Sequence, residues 1–596
     1  MQEYKDLELL SHLSEGSALV AFGENRSKSE FLSQFMGLVA DKRVLIITSY
    51  LTYDKLSKSK ECADSFKLSM DNSHHEKSVL FYEELLSNAD TFNIIKAFSP
   101  DILVIDRIEM LIPNFSEKQE LSLILNHLIA STSNCSKLYL SSMLSDETLS
   151  YMKELLTLSA TSVFKFQTDY LPDSLSYCLK ILPGDEAGGY LASKVTNSES
   201  RQIIFLKKRS VLAKMQDFFH KKGIAVFVIS PQKMLREKLK TVASFYSSEQ
   251  PSVLLLMDLW DLELFANYSA VPFYVYGAVT AAEEALFTYF FSNYPSIEVI
   301  VSESEVIKEF NRINYLKCDK NSLSLFVEEL LRSESLSIEV DDVIKQYNIS
   351  YGSLYLTLGM LVRKSHLEID EFGYSEVKIK LVEDYENKLN PTIERLLPFI
   401  RNILKMSKVD DGVMQLNLIQ FANEIEESYS NVMRSFRLLI INHIIELEDL
   451  SYAIVFRNKL SIGELELIDR LSESLYSAVL TAKENYNNFY SMLTTSYCQT
   501  AQLFSILGGR RACTKCEVCQ GNGVSSPLTF TPIDEQDVKE LQAVVTENLA
   551  ELSSYDFIAL LLGIETPLIK STNLKKHKAY GFFATKSYDD ILNLFL

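Results

Sequence analysis

The sequence is short of most features that would assign it at a glance. It has no basic excess: 59 Lys+Arg stand against 79 Asp+Glu, a net charge of −20. A protein held on nucleic acid by bulk charge would be basic. Contact with nucleic acid here therefore needs a local basic patch, or a complex whose other members bring the charge. No run of 18 or more apolar residues occurs, which argues against a membrane span. The opening MQEYKDLELLSHLSEG is acidic and polar and lacks the pattern of a secretory signal. Eight cysteines in 596 residues are too few for a disulfide scaffold, and no low-complexity tract appears. What remains is an ordinary globular composition, 47% hydrophobic and 23% charged, of a length that suggests about four domains.

Short apolar runs alternate with amphipathic stretches over residues 1–185. The runs are Ala18–Phe22, Val44–Ile47, Val79–Tyr82, Ile102–Ile105, Leu138–Leu140 and Val163–Phe166. β-Branched or aromatic runs of this length, bounded by polar residues, read as buried parallel strands, and the intervals leave room for crossover helices. DEAGGYLASKVTNSES (185–200) reads as a linker. The pattern then repeats over 200–315 with Ile203–Leu206, Val226–Ile229, Val253–Met257, Phe273–Val275 and Ile297–Val301. The fold class is α/β: two tandem parallel-sheet domains with a cleft between them.

Beyond residue 320 the pattern is helical. Helices at Val340–Tyr347 and Tyr351–Val362 flank a turn at Asn348–Ser350, and HLEIDEFGYSEVKIKL reads as a hairpin with Gly373 near its turn. Helix, turn, helix, hairpin is the order of a winged helix. It recurs near Leu416–Glu427 and Ser430–Ile441, followed by IIELEDLSYAIVF. Two winged-helix-like units are expected over 323–385 and 390–460, a helical zinc-binding module over 461–525, and a helical domain over 533–596.

Cys513, Cys516 and Cys519 form C-x-x-C-x-x-C, with Cys498 fifteen residues before the first. Four thiolates satisfy tetrahedral zinc, and two-residue spacers present successive sulfurs inward. Unconnected core cysteines fit poorly with the polar, glycine-containing surroundings. A site filled by four protein ligands is structural, since hydrolytic chemistry needs an open position. Clustered metal-binding thiols also point to a reducing, cytoplasmic compartment.

SALVAFGENRSKSEF (17–31) has the strand, loop, Lys-Ser, helix order of a phosphate-binding loop, with Lys28 and Ser29 as nucleotide-binding candidates. Asn25, Arg26 and Ser27 occupy the tight part, where glycines would let backbone N–H groups close on phosphates. ILVIDRIEML (102–111) ends an apolar strand in Asp106, the usual place for a magnesium carboxylate. Arg107 stands where an acidic residue would orient the attacking water, and Glu109 is displaced further along.

These residues resemble the RecQ family of superfamily 2 DNA helicases, from residue 1 to about 525, and the final region resembles a C-terminal segment of some bacterial members. GENRSKS corresponds to a PTGGGKS-type loop and DRIE to DEAH. KLYLSSMLSDETLSYMKELL, centred on Ser141 and Ser142, is similar to the T-A-T-A segment. SRQIIFLKKRSVLAKMQDFFHKKGIAVFVIS is similar to the opening of the second motor domain. YCQTAQLFSILGGRRACTKCEVC is similar to the zinc module, which implies Cys498, Cys513, Cys516 and Cys519 as ligands. The resemblance also implies RecA-like motor domains and DNA as partner.

The departures bear on activity. Ser292 and Pro295, in EEALFTYFFSNYPS, take the positions of the family's two γ-phosphate arginines. The T-x-x-x-x-G-x-D loop is replaced by MDLWDLELFANYS, and Gln2 is the one candidate for the adenine-reading motif. A missing arginine finger costs about 10³–10⁵ in rate, and a misplaced water-orienting carboxylate typically a further ~10²–10⁴. The expectation is a pseudo-helicase that uses ATP and magnesium poorly and carries structural zinc. It would bind single-stranded or duplex DNA, with a protein partner in a repair, defence or mobile-element complex. The alternatives are an active, divergent ATP-dependent 3′→5′ DNA helicase and a zinc-stabilised DNA-binding regulator. Candidate DNA-contacting residues are Arg434 and Arg437 on one helix face, Arg510 and Arg511 beside the cysteines, and Lys575, Lys576 and Lys578 in a basic run interleaved with Tyr580, Phe582 and Phe583.

Overall fold

A computed structural model describes residues 13, 16–22, 28–48, 66–67, 77–82, 85, 95, 97–111, 119–132, 134–141, 146–159, 162–165, 176–183, 186–198, 200–207, 209–230, 233, 235–265, 268–277, 296–315, 320–332, 335–382, 394–410, 412–442, 444–459, 465–506, 516, 518–521, 530–545, 549, 552–566, 568–569 and 572–595.

The apolar runs of the first region become strands β1 (Ser17–Ala21), β2 (Val44–Thr48), β3 (Phe66–Lys67), β4 (Lys77–Phe81), β5 (Ile102–Ile105), β6 (Ser136–Ser141) and β7 (Val163–Lys165). They form one parallel sheet in the order β3-β4-β2-β5-β6-β1-β7. Leu19 and Ala21 enter the core on one face, Ala18 and Val20 that on the other. A strand buried on both faces reads as a continuous apolar run. The flanking helices include α1 (Lys28–Leu38), α2 (Gln119–Ser131) and α3 (Asp146–Leu155).

A second parallel sheet contains β8 (Ser176–Leu182), β9 (Gln202–Leu206), β10 (Ala225–Ile229), β11 (Ser252–Leu256), β12 (Phe273–Tyr276) and β13 (Ser296–Ser302), in the order β10-β11-β9-β12-β13-β8. Its helices are α4 (Glu186–Thr196), α5 (Arg209–Lys221), α6 (Leu235–Ser247) and α7 (Glu303–Tyr315). The expected linker at 185–200 is therefore corrected. Most of it is α4, which buries Ala187, Leu191, Ala192 and Val195 at helical spacing. Its glycines do not decide this: a Cβ at Gly188 would meet the Tyr276 hydroxyl at an ordinary 3.5 Å. β8 pairs with β13, so the second sheet claims the chain from Ser176 onward.

Two tandem α/β domains are followed by a third, antiparallel sheet. It joins β14 (Ser335–Glu339), β15 (Leu367–Leu381), β16 (Lys408–Asp410), β17 (Val413–Asn417) and β18 (Ile445–Asn458) in the order β14-β18-β15-β17-β16. The hairpin expected around Gly373 is also corrected. β15 runs through Gly373 as one strand, paired with β18 along its length, with register shifts at Ile369/Glu371, Tyr374/Val377 and Lys378/Ile379. The shifts are bulges that bend a long strand without reversing it. Gly373 gives room to the Tyr429 ring, whose hydroxyl donates to the Tyr374 carbonyl at 2.8 Å.

Two helix groups share this sheet. α8 (Lys320–Arg332), α9 (Val340–Tyr347) and α10 (Tyr351–Arg363) lie toward one end; α11 (Leu397–Met406), α12 (Leu418–Glu424) and α13 (Tyr429–Ile441) lie toward the other. Ser350, Asn417 and Ser428 cap α10, α12 and α13 by accepting backbone N–H groups at 3.1, 2.9 and 3.2 Å. α10 is apolar nearly all round and buries nine residues, which marks a core helix rather than a groove-reading one. It packs on α2 of the first domain. Gly359 leaves room for the Asn126 amide, and the Arg363 Nε donates to Asn126 Oδ1 at 2.8 Å while Nη1 donates to the Leu155 carbonyl at 2.7 Å. Hydrogen bonds from a charged group contribute about 1.5–3 kcal/mol. Arg363→Ala is expected to lower stability by about that much, read as a reduced urea midpoint; an unchanged midpoint would show that the contact does not hold the two units together.

The chain continues as α14 (Leu465–Thr494) and α15 (Gln499–Ile506), and ends in α16 (Glu535–Val544), α17 (Ser554–Leu562) and α18 (Tyr588–Phe595) around their own core. No helix among the described residues is long and apolar enough to cross a membrane.

Candidate nucleotide, metal and nucleic-acid sites

Parallel α/β sheets bind ligands at the carboxyl ends of their strands. At that edge of the first sheet, β2 ends in Thr48 and the neighbouring β5 leads into Asp106. α1 begins at Lys28, and its ammonium meets Asp106 Oδ1 at 2.8 Å. The Arg107 backbone N–H donates to the same oxygen at 2.8 Å, and the Thr48 hydroxyl donates to Oδ2 at 2.9 Å. The Tyr82 hydroxyl donates to the Asp106 carbonyl. Lys28 is 6% exposed and Asp106 wholly buried. Burial alone pushes the Asp106 carboxyl up; the charges of Lys28 and Arg107, with bonds from Lys28 and Thr48, outweigh it and hold the group below its ordinary value.

Both carboxylate oxygens are thus engaged by the protein's own donors. Arg107 turns the chain with φ at +53°. That conformation is costly for a residue with a side chain and is over-determined here by the bonds around it. Glu109, in the 3₁₀ helix Ile108–Leu111, is buried, and its Oε2 has no hydrogen-bond partner. Ser29 lies in the first turn of α1, and Ser141 is buried at the end of β6. Asn25, Arg26, Ser27, Ser142, Ser292 and Pro295 lie outside the described residues.

The second site gathers cysteines from distant positions. Cys498 precedes α15, Cys516 is fully buried and Cys519 exposed, and their sulfurs lie within 4.8 Å of one another. Cys498 Sγ and Cys516 Sγ are 3.8 Å apart. A Zn–S bond of about 2.3 Å in tetrahedral geometry gives an S···S edge of about 3.8 Å, far beyond a disulfide's ~2.05 Å. The Ala501 N–H, in the first turn of α15, donates to Cys498 Sγ at 3.4 Å. The donor set suits a thiophilic ion such as zinc. Cys513, the fourth expected ligand, lies outside the described residues, as do Arg510 and Arg511.

Of the DNA candidates, Arg434 is exposed and Arg437 half-buried on α13. Lys575, Lys576 and Lys578 are all exposed in the loop preceding α18. Lys575 pairs with Glu565 at 2.7 Å. The aromatics that follow these lysines belong to the fold. Phe583 is fully buried, and the Tyr580 hydroxyl donates to the Gly563 carbonyl at 2.8 Å. Phe583 is therefore not a stacking surface for bases. Lys586, from the same basic run, is buried and bonds the Pro532 carbonyl and Asp537.

Thr48, Tyr82 and Gln499 escaped the sequence reading. A polar residue ending an apolar strand beside the one that carries Asp106 was the available signal for Thr48. Tyr82 acts from the end of β4, two strands away, and Gln499 from the helix beside Cys498, with no motif to mark either.

No protein-family model and no curated protein matches the chain. Among solved structures it is similar to the DUF1998 helicase MrfA bound to DNA, with TM-score 0.35 and 10% identity over 50% of this chain and 48% of that one. It is also similar to S. cerevisiae Dbp5 bound to RNA and ADP BeF3, with TM-score 0.35 and 14% identity over 48% of this chain and 78% of that one. The match with MrfA therefore spans about half the length of that protein.

Proposed function

We propose that the protein is a RecQ-like, nucleic-acid-binding pseudo-helicase. Its two α/β domains are RecA-like, the third sheet carries two helix groups of which the second, α11–α13, is winged-helix-like, and the cysteine group is a structural zinc site. It binds DNA, single-stranded or duplex, as a recruiting or structural subunit alongside a protein partner, which its −20 charge favours.

The observation that carries the reading is the buried knot around Asp106. Lys28 would have to leave Asp106 to meet a phosphate, and Asp106 would have to exchange Lys28, Thr48 and the Arg107 N–H for a metal ion or its water. Each exchange uncovers a buried charge before any gain from ligand. The assay is ATP hydrolysis by the full-length protein with and without DNA. Turnover at background level is expected, in line with the ~10³–10⁵ loss that follows a missing arginine finger. DNA-stimulated turnover abolished by Lys28→Ala would overturn the reading.

One observation favours a divergent, active ATP-dependent 3′→5′ DNA helicase instead. The buried, unpartnered Glu109 Oε2 lies three residues beyond Asp106 and is of the chemical type that orients water. Turnover lost in Glu109→Gln would support that alternative.

DNA contact is expected through exposed cations rather than stacked rings. Replacing Arg434 and Arg437, or Lys576 and Lys578, with Glu should weaken binding to all sequences alike. It should also flatten the salt dependence by about one unit of slope for each phosphate no longer neutralised. Binding titrations across salt concentrations measure this, and an unaltered slope would remove those residues from the interface.

A further inference from the structure

The helix α14 is a continuous stretch of 30 residues, about 45 Å long at 1.5 Å per residue. Its two halves belong to different cores. Ile468, Leu471 and Leu475 join the core built from the first sheet, α2, α10 and the third sheet, and the helix packs directly on α3. Tyr486, Phe489 and Met492 join the core of the second α/β domain, with Leu179, Ile297, Val306 and Ile313. The Tyr486 hydroxyl donates to the Val306 carbonyl of α7 at 2.6 Å. Immediately afterwards α15 turns back, and the Gln499 side-chain amide clasps edge strand β8, accepting from the Leu179 N–H and donating to the Leu179 carbonyl, each at 3.3 Å.

A second tie joins the same bodies. In α7, fully buried Asn311 donates to the Lys586 carbonyl at 2.8 Å and accepts the Tyr588 N–H at 2.9 Å, and Tyr315 stacks on Tyr555 with ring centroids 4.0 Å apart. The C-terminal unit so anchored reaches the other side, where Asp556 accepts from Asn348 in the turn between α9 and α10.

We propose that α14, with the C-terminal unit as a second brace, is a strut that fixes the distance between the two α/β domains. The cleft between them then does not close around nucleotide. Hinge closure needs a few residues that absorb a large backbone change. An unbroken helix anchored in both bodies supplies none, because its interior hydrogen bonds would have to break first. The strut rests on the pseudo-helicase reading and deepens it: the fold resists the motion as well as the chemistry. It also suits a subunit that presents nucleic-acid contacts and a partner surface at constant spacing.

The test is single-molecule energy transfer on the full-length, metal-loaded protein, labelled through non-natural amino acids at exposed Ala40 and Lys222, one in each α/β domain. Magnesium with AMP-PNP, then a single-stranded oligonucleotide, should leave the distance unchanged to within about 2 Å, the scale that separates rigid from rearranging partners. A larger shift in the unmodified sequence overturns the strut, and this arm needs no folded variant. Leu480 is 46% exposed between the two anchored halves, so proline there breaks the helix without emptying a core. Leu480→Pro should broaden the distance distribution and make it respond to ligand, whereas Leu480→Ala should match the parent. A narrow, unresponsive Leu480→Pro would also overturn the proposal. ATP turnover in the same samples separates the two ideas. Turnover at fixed distance sinks the degraded motor and keeps the strut; movement without turnover does the reverse.

Discussion

Cys516→Ala is expected to empty the cysteine site and release the end of α14 together with α15 from the second domain. Bound zinc, measured by atomic emission on the purified protein, should fall from about one equivalent to near none, because a structural site needs all four ligands. Apparent binding energies of structural zinc in small peptides are about 10–16 kcal/mol. The thiols of Cys498, Cys516 and Cys519 converge from residues on both sides of α15, so the ion would fasten that helix at its start. Gln499, the next residue after Cys498, clasps β8, and the loss should spread there. Hydrogen exchange should rise at residues 176–182 and 486–506, and stay unchanged in the first sheet, which shares no core with this site. A chelator should reproduce the effect, and more readily at acid pH, where thiolates take up protons. Cys135→Ala is the control: that residue is half-buried at the base of the first domain, apart from the cluster, and its thiol is pushed up by burial. Retention of a full equivalent of zinc in Cys516→Ala would end the case for this site.

The two parallel sheets were legible because strands buried on both faces leave continuous apolar runs; each predicted run from Ala18–Phe22 to Ile297–Val301 overlaps a strand. The differences have separate causes. The stretch 185–200 has polar and small residues throughout, yet its four buried residues fall at helical spacing; Gly373 is a turn residue by type, yet it gives the Tyr429 ring room. A spacing requirement imposed by a residue far along the chain leaves no local periodicity to detect. The same limit applies at the sites. Lys28 and Asp106 stood out because each ends or begins an element in a familiar order. Their direct pairing depends on how β1 and β5 flank β6, and that is a property of the whole sheet. The aromatic-basic run near residue 580 misled for the converse reason. Composition does not say which way a ring points, and Phe583 points into the core.

Lys28→Ala is expected to destabilise the first domain by about 3–5 kcal/mol, the cost of leaving a buried charge without its partner. Asp106 keeps Thr48 and the Arg107 N–H, but burial, the largest influence on its carboxyl, then meets less opposition, and its proton affinity rises relative to the parent. The pH dependence follows from the sign of that change. In the parent the folded carboxyl lies below the unfolded value of about 3.9, so its contribution is complete above that pH. The contribution fades as pH falls through the folded value. In the variant the carboxyl is easier to protonate, which relieves the unpaired charge in acid. The difference between the two proteins should therefore be widest at neutral pH and narrow below about pH 4. Lys28→Ala combined with Asp106→Asn removes both charges; the amide oxygen still accepts the Arg107 N–H, and its nitrogen donates to the Thr48 hydroxyl, which now accepts. The double variant should recover much of the loss, so the cycle of parent, Lys28→Ala, Asp106→Asn and the double variant shows strong coupling. The exposed pair Lys575–Glu565 gives the contrast, since truncating it should cost about 0–1 kcal/mol. Denaturant titrations of the four proteins across pH measure all of this. If Lys28→Ala unfolds at the parent's midpoint at neutral pH, the ammonium is not committed to Asp106. It is then available for a phosphate, and the central support for a degraded motor is gone.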